Sequence, residues 1–350
     1  MRTDILGEPY EQHTIALPDD DEGEVVATLI RRRAERPTRR AVLYLHGFCD
    51  YFFQTHLADW YAERGWDFYA LDLRKYGRSM LGHQTPNFVR SVTEYFPEID
   101  EAVRIVRRQD GHDTLLLNGH STGGLVGSLW AHSRRAAGLV DGLFLNSPFL
   151  DFNTPWLIRR PLAPAIAAMA SLGHYRRLPV SGPGIYGRSL HADHHGEWAY
   201  DLTWKPVESF PVRLGWLRAI REAHLRVRKG LAIPAPILVT CSDASFRRPA
   251  WDDVAHDMDA VLDVEHIARW APNLGSHVTL VRVPGGKHDL TLSRPAARER
   301  LFAELSTWLD AYLPADRARA EGDLTARISA DAAGSAATPP TRVATPADRG

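Results

Sequence analysis

Leu115-Leu116-Leu117-Asn118-Gly119-His120-Ser121-Thr122-Gly123-Gly124 is where the character of the chain changes most abruptly. The leucine run reads as a buried strand and stops at Gly119-His120-Ser121-Thr122-Gly123. Leu125-Val126-Gly127-Ser128-Leu129-Trp130-Ala131 then continues with helical character. Strand, G-x-S-x-G turn and helix, in that order, form the context of a nucleophile elbow. So tight a turn requires small residues on both sides of the serine, which Gly119 and Gly123 supply. Ser121 is expected to raise its hydroxyl above the sheet edge at the start of a helix, whose unpaired N–H groups favour a developing anion. A Gly/Ser turn in an ordinary parallel sheet is the plainer alternative, but it leaves the downstream partners of Ser121 without a purpose.

The same rhythm runs in both directions. Upstream, His13–Pro18 and Glu24–Ile30 read as a leading hairpin, and Ala41–Leu45 is a short apolar strand ending in His46-Gly47-Phe48. A helix over Gln54–Arg64 is closed by Gly65, a strand follows over Trp66–Leu73, and a long helix is expected from about Phe88 to Arg108. Downstream comes the strand Gly142–Asn146. Between Ser147 and about Pro234 the rhythm breaks into a Pro-, Trp-, Arg- and Gly-rich stretch with one amphipathic helix, Pro211–Lys229. The alternation resumes with a strand Ile237–Cys241, a helix near Val264–Pro272, a strand Val278–Val283 and a closing helix from Pro295 to about Leu313. Apolar strands alternating with helices imply an α/β fold with a mostly parallel central sheet flanked by helices. The expected organisation is a core in two parts, residues 1–150 and 233–313, interrupted by an insertion at 151–232. A tail at 314–350, with almost no large apolar residues, is expected to be disordered.

Composition narrows the function. With 44% hydrophobic and 24% charged residues the chain reads as an ordinary globular protein. A net charge of -1 gives no electrostatic case for nucleic acid. No basic, then apolar, leader stands at the N-terminus, and the most apolar stretch, Pro155–Gly173, is too interrupted by Arg159, Arg160 and prolines to span a bilayer. Cys49 and Cys241 are too few for a disulfide framework and fit buried thiols in a reducing, cytoplasmic setting. His191-Ala192-Asp193-His194-His195 resembles a metal cluster only superficially, since no second ligand group accompanies it. No phosphate-binding glycine loop is present, so neither a metal nor a nucleotide cofactor is expected.

A serine hydroxyl attacks only when a base takes its proton. His288 is best placed among 16 histidines, in the loop Pro284-Gly285-Gly286-Lys287-His288-Asp289 after the last strand, and Ser…Asp…His is the chain order expected of an elbow serine. His46 and His120 are expected to orient backbone rather than exchange protons. For the acid, Asp243 directly follows a strand, whereas Asp259 leaves room for one helix and one strand before His288. Asp259 is favoured over Asp243, whose Ser242-Asp243-Ala244-Ser245 setting suits a strand-ending turn. Asp253, Asp257 and Asp263 are minor candidates. Two oxyanion donors are expected, the backbone N–H of Thr122 and that of Phe48.

Taken together, His46-Gly47-Phe48, Asp72-x-x-x-x-Gly77-x-Ser79, Gly119-His120-Ser121-Thr122-Gly123 and Gly285-Gly286-Lys287-His288 resemble the α/β-hydrolase superfamily, specifically the branch of monoacylglycerol lipases and serine aminopeptidases. The resemblance covers about Val25–Leu313 and implies a serine triad, a two-amide oxyanion hole and a helical cap inserted after Asn146. Asp259-Ala260-Val261-Leu262-Asp263 is similar to the branch's acid motif. Two departures stand out: Lys75 replaces a glycine usual in the Asp72 loop, and Ser242–Met258 looks like an insertion before the acid, with Ser245 where the branch usually has its aspartate. The expected activity is therefore a serine hydrolase cleaving a hydrophobic carboxylic ester, monoacylglycerol or similar, without a cofactor. The apolar stretch Trp156–Leu172 favours an acyl or alkyl group. A peptidase or acyltransferase with the same triad, and a hydrolase-fold binding protein without turnover, are the alternatives.

Overall fold

The computed structural model describes residues 1–153, 173–178 and 184–315. Nearly all of the tail expected at 314–350, and the apolar stretch Trp156–Leu172, lie outside the described residues.

The described residues form nine strands: β1 (Arg2–Thr3), β2 (Tyr10–Asp20), β3 (Gly23–Arg32), β4 (Arg40–Leu45), β5 (Asp67–Asp72), β6 (Thr114–His120), β7 (Gly142–Asn146), β8 (Ile237–Ser242) and β9 (Val278–Val283). They form one sheet in the order β1-β2-β3-β5-β4-β6-β7-β8-β9. The first three strands and the β3–β5 pair are antiparallel, and every pairing from β5 onward is parallel. The described helices are α1 (Thr55–Glu63), α2 (Phe96–Arg104), α3 (Thr122–Ser133), α4 (Ile185–Leu190), α5 (Leu214–Arg228), α6 (Val264–Trp270) and α7 (Pro295–Tyr312). None of them is long and apolar enough to cross a membrane.

The central strands are continuously apolar because both faces are covered. Leu43, Leu45, Leu115 and Leu117 enter one core, with α2, α3 and α5. Their alternates Val42, Tyr44 and Leu116 enter the other, against α1 and α7. Burying each such side chain contributes about 2 kcal/mol, so the two-residue period fixes register strongly. β9, at the sheet edge, is only partly covered.

The helix expected over Phe88–Arg108 is shorter and composite. Asn87, in the left-handed region, donates twice to the Lys75 carbonyl, and Phe88 and Val89 are buried as irregular chain. Helical structure starts after Ser91, whose hydroxyl accepts the Thr93 N–H while Glu94 reaches back to the Ser91 N–H. A wide turn, Ile105–Gln109, ends it. Lys75, in place of the glycine usual in this branch, sits at φ +64°, a conformation glycine takes freely, and its buried ammonium is held by Asp20 and Glu22.

Parallel pairing brings the carboxyl ends of β4, β6, β7, β8 and β9 to one edge of the sheet. Described residues of the long connection between β7 and β8, which carries α4 and α5, lie over that edge, among them Tyr186 and Trp216 beside the cavity above Ser121.

Candidate active site

At the end of β6, Ser121 turns with φ +51° and ψ -117°, a strained geometry that costs on the order of 1–3 kcal/mol and is held from several sides. Its N–H donates to the Asn146 carbonyl (3.0 Å), and its carbonyl accepts from Gly124, Leu125 and Phe149. The flanking glycines are obligatory for steric reasons. A β-carbon on Gly123 would lie 2.3 Å from the Leu45 carbonyl oxygen, and one on Gly119 would lie 2.7 Å from Gly124 Cα.

The structure brings Ser121, His288 and Asp259 into one line. Ser121 Oγ is 2.9 Å from His288 Nε2, and His288 Nδ1 is 2.9 Å from Asp259 Oδ2. The carboxylate accepts only, so the network assigns the imidazole proton to Nδ1 and leaves Nε2 free to accept from the serine. Asp259 is fully buried, and its Oδ1 accepts from the Val261 and Leu262 amides at 2.8 Å each.

Asp259 reaches this place although it lies sixteen residues after Asp243. The chain leaves at Phe246, makes an excursion and returns, so that Asp259 pairs in parallel beside Ser245. Asp259 N–H donates to Ala244 O (2.9 Å), and Phe246 N–H donates to Asp259 O (2.8 Å). Ser245 itself accepts the Val264 N–H at the start of α6. Asp243 points elsewhere, accepting from the Gly285 N–H at 3.2 Å. Asp257 pairs with Arg294, Asp263 caps α6 and pairs with Arg247, and Asp253 accepts from the Trp251 indole.

The amides of Phe48 and Thr122 donate no hydrogen bond among the described residues. Gly47 brings the first of them close: a β-carbon there would lie 3.1 Å from Ser121 Cβ. His46 donates from Nδ1 to the Gly47 carbonyl (2.8 Å) and accepts the Leu73 N–H at Nε2 (3.0 Å). His120 bonds the Asn146 carbonyl, and burial lowers its pKa. Both therefore orient backbone.

Several neighbours gave no sequence signal of their own. Asp289 is buried behind His288, and its carboxylate accepts from Asn146 (2.7 Å), Gln54 (3.2 Å) and Thr291. Burial opposes its charge, but nearby His120 and these bonds hold its pKa below the usual carboxylate value. Tyr186, from α4, packs edge-on against His288 at 5.4 Å. Lys287 donates to the Ser189 carbonyl (2.7 Å), and burial pushes its pKa down to about 8. Lys205 and Asp50 form a buried ion pair at 2.7 Å. Each depends on the insertion or on contacts remote in sequence.

Above Ser121 opens a cavity of about 690 Å³, walled largely by apolar groups including Phe48, Phe149, Phe152, Leu178, Val212 and Trp216. Among the described residues no three His, Cys, Asp or Glu side chains converge to hold a metal ion. In the His191–His195 stretch, His191 accepts the Asp193 N–H and His195 stacks on Trp251.

Residues 36–244, more than half of the chain, match the family described as serine aminopeptidase, S33; the match includes Phe48 and Ser121 and ends before Asp259 and His288. Among solved structures, monoglyceride lipase from Saccharomyces cerevisiae, in complex with a substrate analogue, is similar with a TM-score of 0.65 at 15% identity, covering 85% of this chain and 94% of that one. Monoacylglycerol lipase from Paleococcus ferrophilus gives a TM-score of 0.59 at 19% identity, covering 81% and 99%. A carboxyl esterase from Bacillus coagulans, in complex with glycerol, gives 0.60 at 14% identity, covering 86% and 98%. No curated protein sequence matches. The sheet order, the strained turn at Ser121 and the family match lead to one assignment: the chain belongs to the serine aminopeptidase (S33) family of α/β-hydrolases.

Proposed function

We propose that the protein is a serine hydrolase of hydrophobic carboxylic esters. Ser121 attacks the ester carbonyl, His288 takes its proton and returns it to the leaving alcohol, and Asp259 holds the imidazole in the productive tautomer. The amides of Phe48 and Thr122 receive the negative charge that develops on the carbonyl oxygen; they are unspent in the free protein and pre-aimed, which is what makes such donors effective. Water then repeats the sequence on the acyl-enzyme. No cofactor enters the scheme. Residues 151–232 act as a cap, of whose described residues Phe152, Leu178, Val212 and Trp216 line the cavity.

One observation carries this reading: the continuous relay Asp259–His288–Ser121, at 2.9 Å per step, opening into the 690 Å³ apolar cavity. A cavity of this size and lining suits a medium-length acyl chain better than a charged peptide. The lipases and esterase named above lend the substrate class, a monoacylglycerol or similar ester. The test is Ser121→Ala, which removes one hydroxyl and no packing. Turnover of p-nitrophenyl butyrate should fall by about three orders of magnitude or more, fluorophosphonate labelling should vanish, and the melting temperature should stay. Retention of more than a few per cent of turnover would overturn the mechanism. A panel of esters of rising chain length beside aminoacyl-amides assigns the substrate; faster amide than ester cleavage would overturn the ester reading.

A further inference from the structure

The loop that carries the Phe48 amide is hydrogen-bonded to the core at its ends. His46 holds the Gly47 carbonyl on one side, and Asp72 accepts the Phe52 N–H (2.9 Å) on the other. Between these points, consecutive side chains meet the β7–β8 connection in reverse order, like two edges of a zipper. The Phe48 ring lies 4.3 Å from Trp216. The Cys49 thiol lies beside the Ser209 side chain and the Phe210 backbone. Asp50 accepts from Lys205 Nζ at 2.7 Å, and the Tyr51 phenol oxygen accepts from the Asp201 N–H, also at 2.7 Å.

Within this zipper Cys49 adopts φ +50°, a region costly for any residue with a β-carbon. Such a conformation persists only where its surroundings impose it, and the residue on each side of Cys49 is gripped by the inserted segment. The single charged contact is the Lys205–Asp50 pair. Both residues are almost wholly buried, at 5% and 2% exposed. The ammonium is also boxed by the rings of Phe53, Tyr186 and Tyr200, each centred 5.7 Å away. A buried charge so enclosed holds its partner in a narrow range of positions, because separation leaves both ions unpaired in an apolar setting.

We propose that Lys205 is a positioning residue for the oxyanion hole: through its ion pair with Asp50 it sets the path of Phe48–Asp50, and so the aim of the Phe48 N–H at the reacting carbonyl. This rests on the assignment of Ser121 and the Phe48 amide made under Proposed function. Lys205 lines the same cavity but makes no hydrogen bond to Ser121, His288 or Asp259 among the described residues. It makes the inserted segment part of the apparatus that stabilises the transition state, in addition to a wall for the substrate. A donor displaced by a fraction of an ångström still binds the neutral ester, but it loses its grip on the tetrahedral oxyanion.

The test uses the full chain with Lys205→Met, Asp50→Asn and the double variant. It measures kcat and KM on p-nitrophenyl butyrate, melting temperature, and inhibition by a trifluoromethyl ketone and its methyl ketone counterpart. The trifluoromethyl ketone is attacked by Ser121 Oγ, the serine proton passing to His288 and the ketone oxygen becoming the oxyanion. The methyl ketone reports ground-state binding. In each variant kcat should fall about ten- to a hundredfold with KM within about threefold. The trifluoromethyl ketone should weaken by the same factor while the methyl ketone barely changes, and the double variant should be no worse than the worse single one. Should Lys205→Met fail to melt cooperatively, Asp50→Asn, which keeps the side chain's shape, carries the same expectations. The proposal is overturned by a folded variant with kcat within about twofold of wild type, a change that shape-level disturbance of a donor does not allow. It is also overturned by KM and both ketones weakening together, which makes Lys205 a substrate contact. A double variant restored to wild-type rate overturns it too, reducing the lysine to neutralising a charge. Absence of fluorophosphonate labelling at Ser121 in the wild type overturns the Ser121 reading and this one with it; normal labelling with unaffected variants overturns this one alone.

Discussion

Replacing Asp259 by asparagine asks one atom to do the work of another. The native carboxylate makes three short bonds: Oδ2 to His288 Nδ1 at 2.9 Å, and Oδ1 to the Val261 and Leu262 amides at 2.8 Å each. Asparagine has one oxygen. If that oxygen keeps the two backbone N–H groups, the amide NH₂ faces His288 and forces Nδ1 to accept. The imidazole proton then moves to Nε2 and points at Ser121, which it can no longer deprotonate. The reversed amide would set NH₂ against two buried N–H donors, a worse outcome, so the first orientation prevails. The asparagine variant should therefore fold with a melting temperature close to wild type and lose about 10⁴ in kcat, equivalent to about 5.5 kcal/mol of activation free energy, the size seen for this exchange in another serine hydrolase. Asp243→Asn is the control. Its hydrogen bond from the Gly285 N–H at 3.2 Å can be accepted by an asparagine oxygen, so its kcat should stay within about threefold. Steady-state hydrolysis of p-nitrophenyl butyrate measures both. A folded Asp259→Asn protein within about tenfold of wild type would refute the tautomer argument.

Other outcomes follow from the same geometry. Gly123→Ala should cost about 4 kcal/mol or more, read as loss of cooperative melting or of soluble yield, because its β-carbon meets two carbonyl oxygens at 2.3 and 2.4 Å. Lys75→Gly relieves about 1 kcal/mol of left-handed strain but strips a buried ammonium from Asp20 and Glu22, so urea unfolding should show a net loss of about 2 kcal/mol rather than a gain. Lys287 is held at about 8, below its ordinary value of 10.5, so between those values the unfolded chain binds more protons than the folded one. Wild-type stability should accordingly rise relative to Lys287→Met from pH 8 to 10, and a difference independent of pH would contradict the burial of that ammonium.

Much of this architecture was legible because it rests on local periodicity. β4, β6, β7 and β8 are short apolar runs ended by turn residues, and such runs become parallel strands only when helices cover both faces. Ser121, His288 and Asp259 could be nominated because each sits where the chain passes a strand end or a short turn. The helix expected from Phe88 failed at its first turn, where a strong apolar pattern hid the capping box that begins at Ser91. The return of Asp259 to the side of Ser245 was legible only through the resemblance, which marks Ser242–Met258 as an insertion and puts Ser245 where the branch has its aspartate; the composition of the segment alone does not announce it. Lys205 and Asp50 lie 155 residues apart, and no pattern joins them. A compositional hint did exist. Only four of 42 basic residues are lysine, and three of the four, Lys75, Lys205 and Lys287, are buried. In a chain that defaults to arginine, a lysine marks a place where a compact ammonium fits and a broad guanidinium does not.

The excursion that leaves at Phe246 and comes back at Asp259 has consequences for how such proteins diversify. Its two ends are fastened side by side, so the chain between them can lengthen at small cost, about 0.6 kcal/mol for each doubling of a flexible loop. Phe246, Arg247 and Arg248, at its outgoing end, border the cavity, whereas Asp259 closes the stitch from within. An ancestor or an engineer can therefore splice new sequence into this segment and redraw the doorway without moving the acid. On the proposed mechanism, the groups that would meet substrate and the carboxylate that would serve His288 are carried on separate stretches of chain.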